Sequence, residues 1–100
     1  MNIVVAGTFR IPVEAFDGIK PHLETVIAAT RKEDGCLVYS YAVDVEDPGL
    51  IRVFEHWRDQ ACLDTHFQTP HMAAWQKVRM EHGFHDRQIW SYEVSETREI

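Results

Sequence analysis

The apolar positions of this chain change period several times, and each change marks a structural element. Residues 2–10 (Asn-Ile-Val-Val-Ala-Gly-Thr-Phe-Arg) are rich in β-branched side chains and predict a first strand, which Pro12 ends. From Val13 to Lys32 the spacing becomes helical, with Phe16, Ile19, Leu23, Val26, Ile27 and Thr30 on one stripe. Pro21 falls inside that stripe and is expected to kink the helix or delay its regular part, because an interior proline costs about 3 kcal/mol. Gly35 is placed to close the helix as a left-handed cap.

Alternation returns at Cys36–Val45, with Leu37, Tyr39, Tyr41 and Val43 on one face and Val38, Ser40 and Ala42 on the other. The turn sequence Glu46-Asp-Pro-Gly49 joins it to a third strand, Leu50–Trp57, so the pair reads as an antiparallel hairpin. Asp59 can cap a short helix running through Phe67. Thr69-Pro70 then starts another, which carries Trp75, Val78 and Arg79 and ends near His82-Gly83. Phe84–Val94 is the last strand, with Trp90, Tyr92 and Val94 on one face, and the tail from Ser95 is polar.

The order β-α-β-β-α-β, its second helical segment split in two, predicts an α+β, ferredoxin-like fold with a four-stranded antiparallel sheet in one domain spanning residues 1–100. Helices can cover only one face of such a sheet. Alternate positions on the other face are apolar as well, which predicts a homodimer packed sheet against sheet about a two-fold axis.

Composition narrows the partners. With a net charge of −6 and scattered Lys and Arg, no nucleic-acid partner is expected. Apolar runs fall far short of the ~20 residues of a membrane span, so no membrane partner is expected either. The start Met1-Asn-Ile-Val-Val lacks the basic head of a signal peptide, and Cys36 and Cys62 form no Cys-x-x-Cys pair. Free thiols and a cytoplasmic location are the expectation.

Six histidines raise the question of a metal. His66 and His71 are five apart across a helix break, unlike the four-residue spacing of a His-Glu-x-x-His site. Glu55 and His56 are strand neighbours pointing to opposite faces. No metal site is expected on these grounds. No Gly-x-Ser-x-Gly elbow and no phosphate-cradling glycine loop is present, and Gly7 marks a close approach of ligand or backbone. What remains is a pocket of histidine, aromatic and a few charged groups. Its centre is the stretch His66-Phe-Gln-Thr-Pro-His71-Met-Ala-Ala-Trp75, where imidazoles beside an indole suit proton transfer on an apolar substrate. Glu55, mid-strand, needs a partner for a half-buried carboxylate, and Arg52, Arg79 or a histidine could supply it.

Glu33-Asp-Gly35-Cys36-Leu37-x-Tyr39, Asp47-Pro48, Glu55-x-Trp57 and Leu63-x-x-His66-x-x-Thr69-Pro70-His71 together resemble the antibiotic biosynthesis monooxygenase family, closest to its quinol-monooxygenase-like branch. The resemblance implies a dimeric α+β barrel and oxidation of a quinol or phenolic, polyketide-like aromatic substrate by O₂ with no cofactor. It places His66, His71 or Glu55 as catalytic groups, Phe9, Phe54 and Trp75 as walls, and Tyr39 or Arg79 as donors to a phenolate. The heme-degrading relatives need an asparagine, a tryptophan and a histidine where this chain has Gly7, His66 and Gln76, so heme degradation is not expected. An isomerase of a small phosphorylated dicarbonyl compound, drawing on Arg10, Arg52 or Arg79, and a non-catalytic ligand-binding domain are the alternatives.

Overall fold

A computed structural model describes residues 1–100. It contains strands β1 (Asn2–Arg10), β2 (Cys36–Val43), β3 (Leu50–Trp57) and β4 (His85–Val94). A 3₁₀ turn (Val13–Ala15) leads into helix α1 (Phe16–Arg31), and α2 (Gln60–His66) and α3 (Pro70–Glu81) lie between β3 and β4. The sheet order is β2-β3-β1-β4 and every pairing is antiparallel. This is the expected ferredoxin-like βαββαβ fold.

Period-two alternation decides the whole core. One sheet face carries Ile3, Val5, Phe9, Tyr39, Ile51, Val53, Glu55 and Trp57, all buried. Helix α1 lays Ile19, Leu23 and Val26 on that face, and α3 adds Trp75 and Val78. A second cluster of Ile3, Val5, Tyr39, Trp57, Cys62 and Leu63 fills the end beneath α2. The opposite face is uncovered. Val38, Phe54, Trp90 and Tyr92 lie exposed on it, Trp90 at 66%.

Local chemistry sets the element ends. Asp59 accepts from the Cys62 amide and caps α2. Thr69 caps α3 by accepting from the Met72 amide, Pro70 occupies its first position, and Gly83 follows it in the left-handed region at φ +74°. The Thr69 hydroxyl also donates to the carbonyl of His66 at 2.8 Å, tying the end of α2 to the start of α3.

The regular part of the first helix starts late, as Pro21 led us to expect: a 3₁₀ turn (Val13–Ala15) precedes α1, which then runs through the proline. Two expectations need correction. Gly35 does not cap α1 directly. Lys32 ends it, and Gly35 follows in the turn at φ +80°, where an added Cβ would meet Cys62 Sγ at 2.3 Å. Leu37 leaves the Tyr39 face because the β2–β3 register slips between Cys36 and Val38, and its side chain is exposed. Gly7 marks an approach of backbone, since a Cβ there would lie 2.0 Å from the Gln88 carbonyl oxygen of β4.

Candidate active site

Between the covered sheet face and α3 lies a cavity of about 970 Å³, within the usual size range for a small-molecule site. Its apolar wall is a chain of rings. Phe9 stacks on Phe84 with centroids 5.0 Å apart, Trp75 meets Phe84 edge-on at 5.4 Å, and Tyr41 packs against Trp75 at 5.8 Å. Met72, Trp75, Gln76 and Arg79 reach it from one side of α3, as their spacing dictates. The bulge in β4 brings His85, Asp86 and Arg87 to its rim: the register with β1 shifts between Thr8 and Arg10, and Asp86 sits at φ 51°.

Glu55 is the acidic group on the cavity floor. It is 8% exposed, and its Oε1 accepts from the indole Nε1 of Trp57 at 2.9 Å, two residues along the same strand face. Burial pushes its carboxyl up to about 7, although the Trp57 bond and the charge of Arg87 pull the other way. The expected arginine or histidine partner is thus an indole, which holds the oxygen without supplying a full charge. Across the β2–β3 register lies Tyr39, whose hydroxyl is 3.0 Å from that of Tyr41. Burial raises both phenols, Tyr41 to about 12, so they serve as O–H donors near neutral pH.

His66 and His71 meet on a residue absent from the expected catalytic set. Glu33 Oε2 lies 2.6 Å from His66 Nδ1 and 2.8 Å from His71 Nε2. A carboxylate only accepts, so His66 carries its proton on Nδ1 and leaves the Nε2 lone pair free. That Nε2 is buried with no hydrogen-bond partner. Burial pushes the imidazole pKa down against the opposing pull of Glu33, so the ring is neutral at pH 7. A neutral imidazole oriented through Nδ1 by a carboxylate is the arrangement of a general base.

His66 and His71 are not kept apart by their five-residue spacing. The helix break lets both imidazoles converge with Glu33, and their three ligand atoms lie within 4.8 Å of one another. The 2.6 and 2.8 Å separations are nevertheless those of hydrogen bonds. Two ligands of one tetrahedral zinc stand ~3.3 Å apart, so holding an ion would require the cluster to open.

The structure thus brings Glu55, His66, Phe9, Tyr39, Trp75 and Arg79 to one cavity. Two expected residues lie elsewhere. Phe54 points to the uncovered face at 43% exposure, because its neighbours Val53 and Glu55 point inward. His71 is absent from the cavity wall and buttresses Glu33 instead. Arg10 and Arg52, considered for a phosphate, are paired with Asp47 and Asp44. Sequence reasoning missed Glu33, Tyr41, Phe84 and Arg87. A signal for Glu33 existed, since a carboxylate just past a helix C-terminus faces the wrong end of the dipole and needs another reason to be there.

Comparison with known proteins agrees with this architecture. The family model for antibiotic biosynthesis monooxygenase matches residues 2–78. The chain belongs to the antibiotic biosynthesis monooxygenase family. Within reach of it, the Synechocystis protein sll1783 is 31% identical over 98 residues, 98% of this chain and 67% of that protein. The Mycobacterium tuberculosis protein named "Putative monooxygenase Rv0793" is 32% identical over 69 residues, covering 69% of this chain and 67% of that one. A Deinococcus radiodurans crystal structure, titled as a "putative antibiotic biosynthesis monooxygenase", superposes with a TM-score of 0.88 at 29% identity, covering 100% of this chain and 98% of that one. Glu55 and His66 line the cavity, while Glu33 and Trp57 hold them from behind. No helix is long and apolar enough to cross a membrane.

The Glu33–His66 arrangement makes a spectroscopic prediction. Imidazole ¹⁵N shifts of His66 should report a neutral ring protonated on Nδ1 at pH 7, and Glu33→Gln should mix the tautomers. An Nε2-protonated ring in the unaltered protein contradicts the assignment.

Proposed function

We propose that this chain is a cofactor-independent monooxygenase of the quinol-oxidising kind, acting on a phenolic or hydroquinone ring with O₂. The observation that carries the reading is Glu55, a buried carboxyl with a pKa of about 7 on the wall of an aromatic cavity. A general base works best when its pKa lies near the working pH. An electron-rich ring supplies the electrons itself once a proton is removed, so the protein need only deprotonate it, hold the anion and keep water away.

In the proposed reaction Glu55 takes a substrate proton. The substrate anion passes an electron to O₂, and the resulting radical pair joins to form a carbon–oxygen bond. Loss of water from the protonated peroxide leaves a new carbonyl. One oxygen atom enters the product and the other leaves as water, so substrate-H₂ and O₂ give substrate=O and H₂O. Tyr39, Tyr41 and Arg79 are the donors that hold the anion, acting where negative charge develops. The phosphorylated-dicarbonyl isomerase reading ranks second. A compound of that size would occupy little of a cavity of about 970 Å³ walled by four aromatic rings.

The proposed functional unit is a homodimer built on the uncovered sheet face. Val38, Phe54, Trp90 and Tyr92 form an apolar surface there that a second copy would bury.

Oxygen uptake and ultraviolet absorbance with a reduced naphthoquinol or an anthrone test the reaction, after subtraction of the buffer rate. Turnover should rise with pH below about 7 and level off above it, as Glu55 loses its proton. Glu55→Gln should lower kcat by roughly 10²–10⁴-fold. Absence of any acceleration, or full turnover in Glu55→Gln, contradicts the proposal. For the dimer, light scattering should give two chains per particle, and Trp90→Asp should shift the protein to single chains. Single chains in the unaltered protein would remove the interface.

A further inference from the structure

Seven arginines stand in this chain, and five have partners. Arg10 pairs with Asp47, Arg52 with Asp44, Arg58 with Asp34 and Arg98 with Glu96, while Arg31 donates to the Tyr39 carbonyl. Arg79 and Arg87 have neither a carboxylate within ion-pair distance nor a side-chain hydrogen bond, and these two line the same cavity. In a chain of net charge −6, the two arginines left without a protein partner are the two in the cavity.

Their positions are built into the fold. Arg79 lies one turn beyond Trp75 on α3 and is half-buried. Arg87 is held on the cavity side of β4 by the bulge at Asp86, two residues before the inward-facing Ile89. The other charged groups at this site do not neutralise them. Glu55 is bonded to Trp57 and is half protonated near neutral pH, and Asp86 is exposed, with His85 Nε2 3.9 Å away. Burial and the repulsion of Arg87 both disfavour the charge on Arg79. Half-buried Arg79 beside the exposed Arg87, with no carboxylate within ion-pair distance of either, leaves positive charge that a ligand's anionic group would offset.

We propose that Arg79 and Arg87 form an anion clamp, and that the ligand is an aromatic compound bearing a carboxylate or phosphate group. Its ring lies along Phe9, Trp75 and Phe84, and its acidic group meets the two guanidiniums, which are suited to planar, bidentate oxyanion recognition. This rests on the aromatic cavity of the proposed function and adds the second recognition element to it. It narrows the substrate from any phenol to an anionic one.

The test is equilibrium binding under nitrogen, so that turnover plays no part. Trp fluorescence or calorimetry would compare 2-naphthoate and 2-naphthyl phosphate with the neutral 2-naphthamide. At least one anion should bind about tenfold or more tighter than the amide, the size of one charge-assisted contact. The comparison between the two anions then tells which acid the clamp prefers. That advantage should fall toward one in Arg79→Gln and separately in Arg87→Gln. It should persist in Lys77→Gln, which removes the same charge from an exposed position of α3. Equal binding of amide and both acids, or an advantage that survives both arginine substitutions, overturns the clamp. Oxidation of neutral quinols would stand in that event, and loss of oxygen uptake would leave an anion preference intact, so the two failures are separable.

Discussion

One oxygen of Glu33 joins the three helical ends that shape the cavity. It sits in the turn after α1 and receives Nδ1 of His66 from the end of α2 and Nε2 of His71 from the first turn of α3. Thr69 adds a second tie between the same two helices. Because the Glu33 carboxylate can only accept, it also fixes which imidazole nitrogen of His66 is bare. Geometry and proton inventory are therefore set by the same contact.

A contrast in solvation follows from that frame. The α2 end of the cavity is closely packed: Trp57, Tyr39 and His66 are fully buried, and burial of Glu55 beside Trp57 disfavours its charge. The α3 and β4 end carries Arg79 and Arg87, neither of them in an ion pair. A ligand that spans the cavity would meet a proton acceptor at one end and positive charge at the other. This polarity suits an anion formed in place, since the donors and cations lie ready before the proton moves.

The fold was largely legible because strand alternation and helical spacing are strong, local signals. The boundaries of β1 and β3 and the Thr69-Pro70 start follow directly from residue type. Phe54 shows where the reading broke. Val53, Glu55 and Trp57 are the inward set, and an attractive aromatic between them was counted as a wall against its own parity. Leu37 failed for a different reason, since a bulge moves one residue off its face and nothing in composition marks the slip. The site was legible only in part. His66 and Glu55 announce themselves by type and setting, whereas Glu33 acts through contacts 33 and 38 residues away in sequence, which no local pattern reveals. Arg87 was hidden by the same bulge logic, because its orientation depends on the left-handed Asp86.

The acidity of Glu55 within its indole-bonded, buried setting decides whether it can act as the base. Following the Glu55 side-chain carboxyl by ¹³C NMR across pH 4–9 measures it directly in the folded protein. A midpoint of about 7 is expected, moving further upward when Arg87→Gln removes a favourable charge. A midpoint in the ordinary glutamate range near 4.3 would mean that the carboxyl is solvated after all, and would contradict its role as the base.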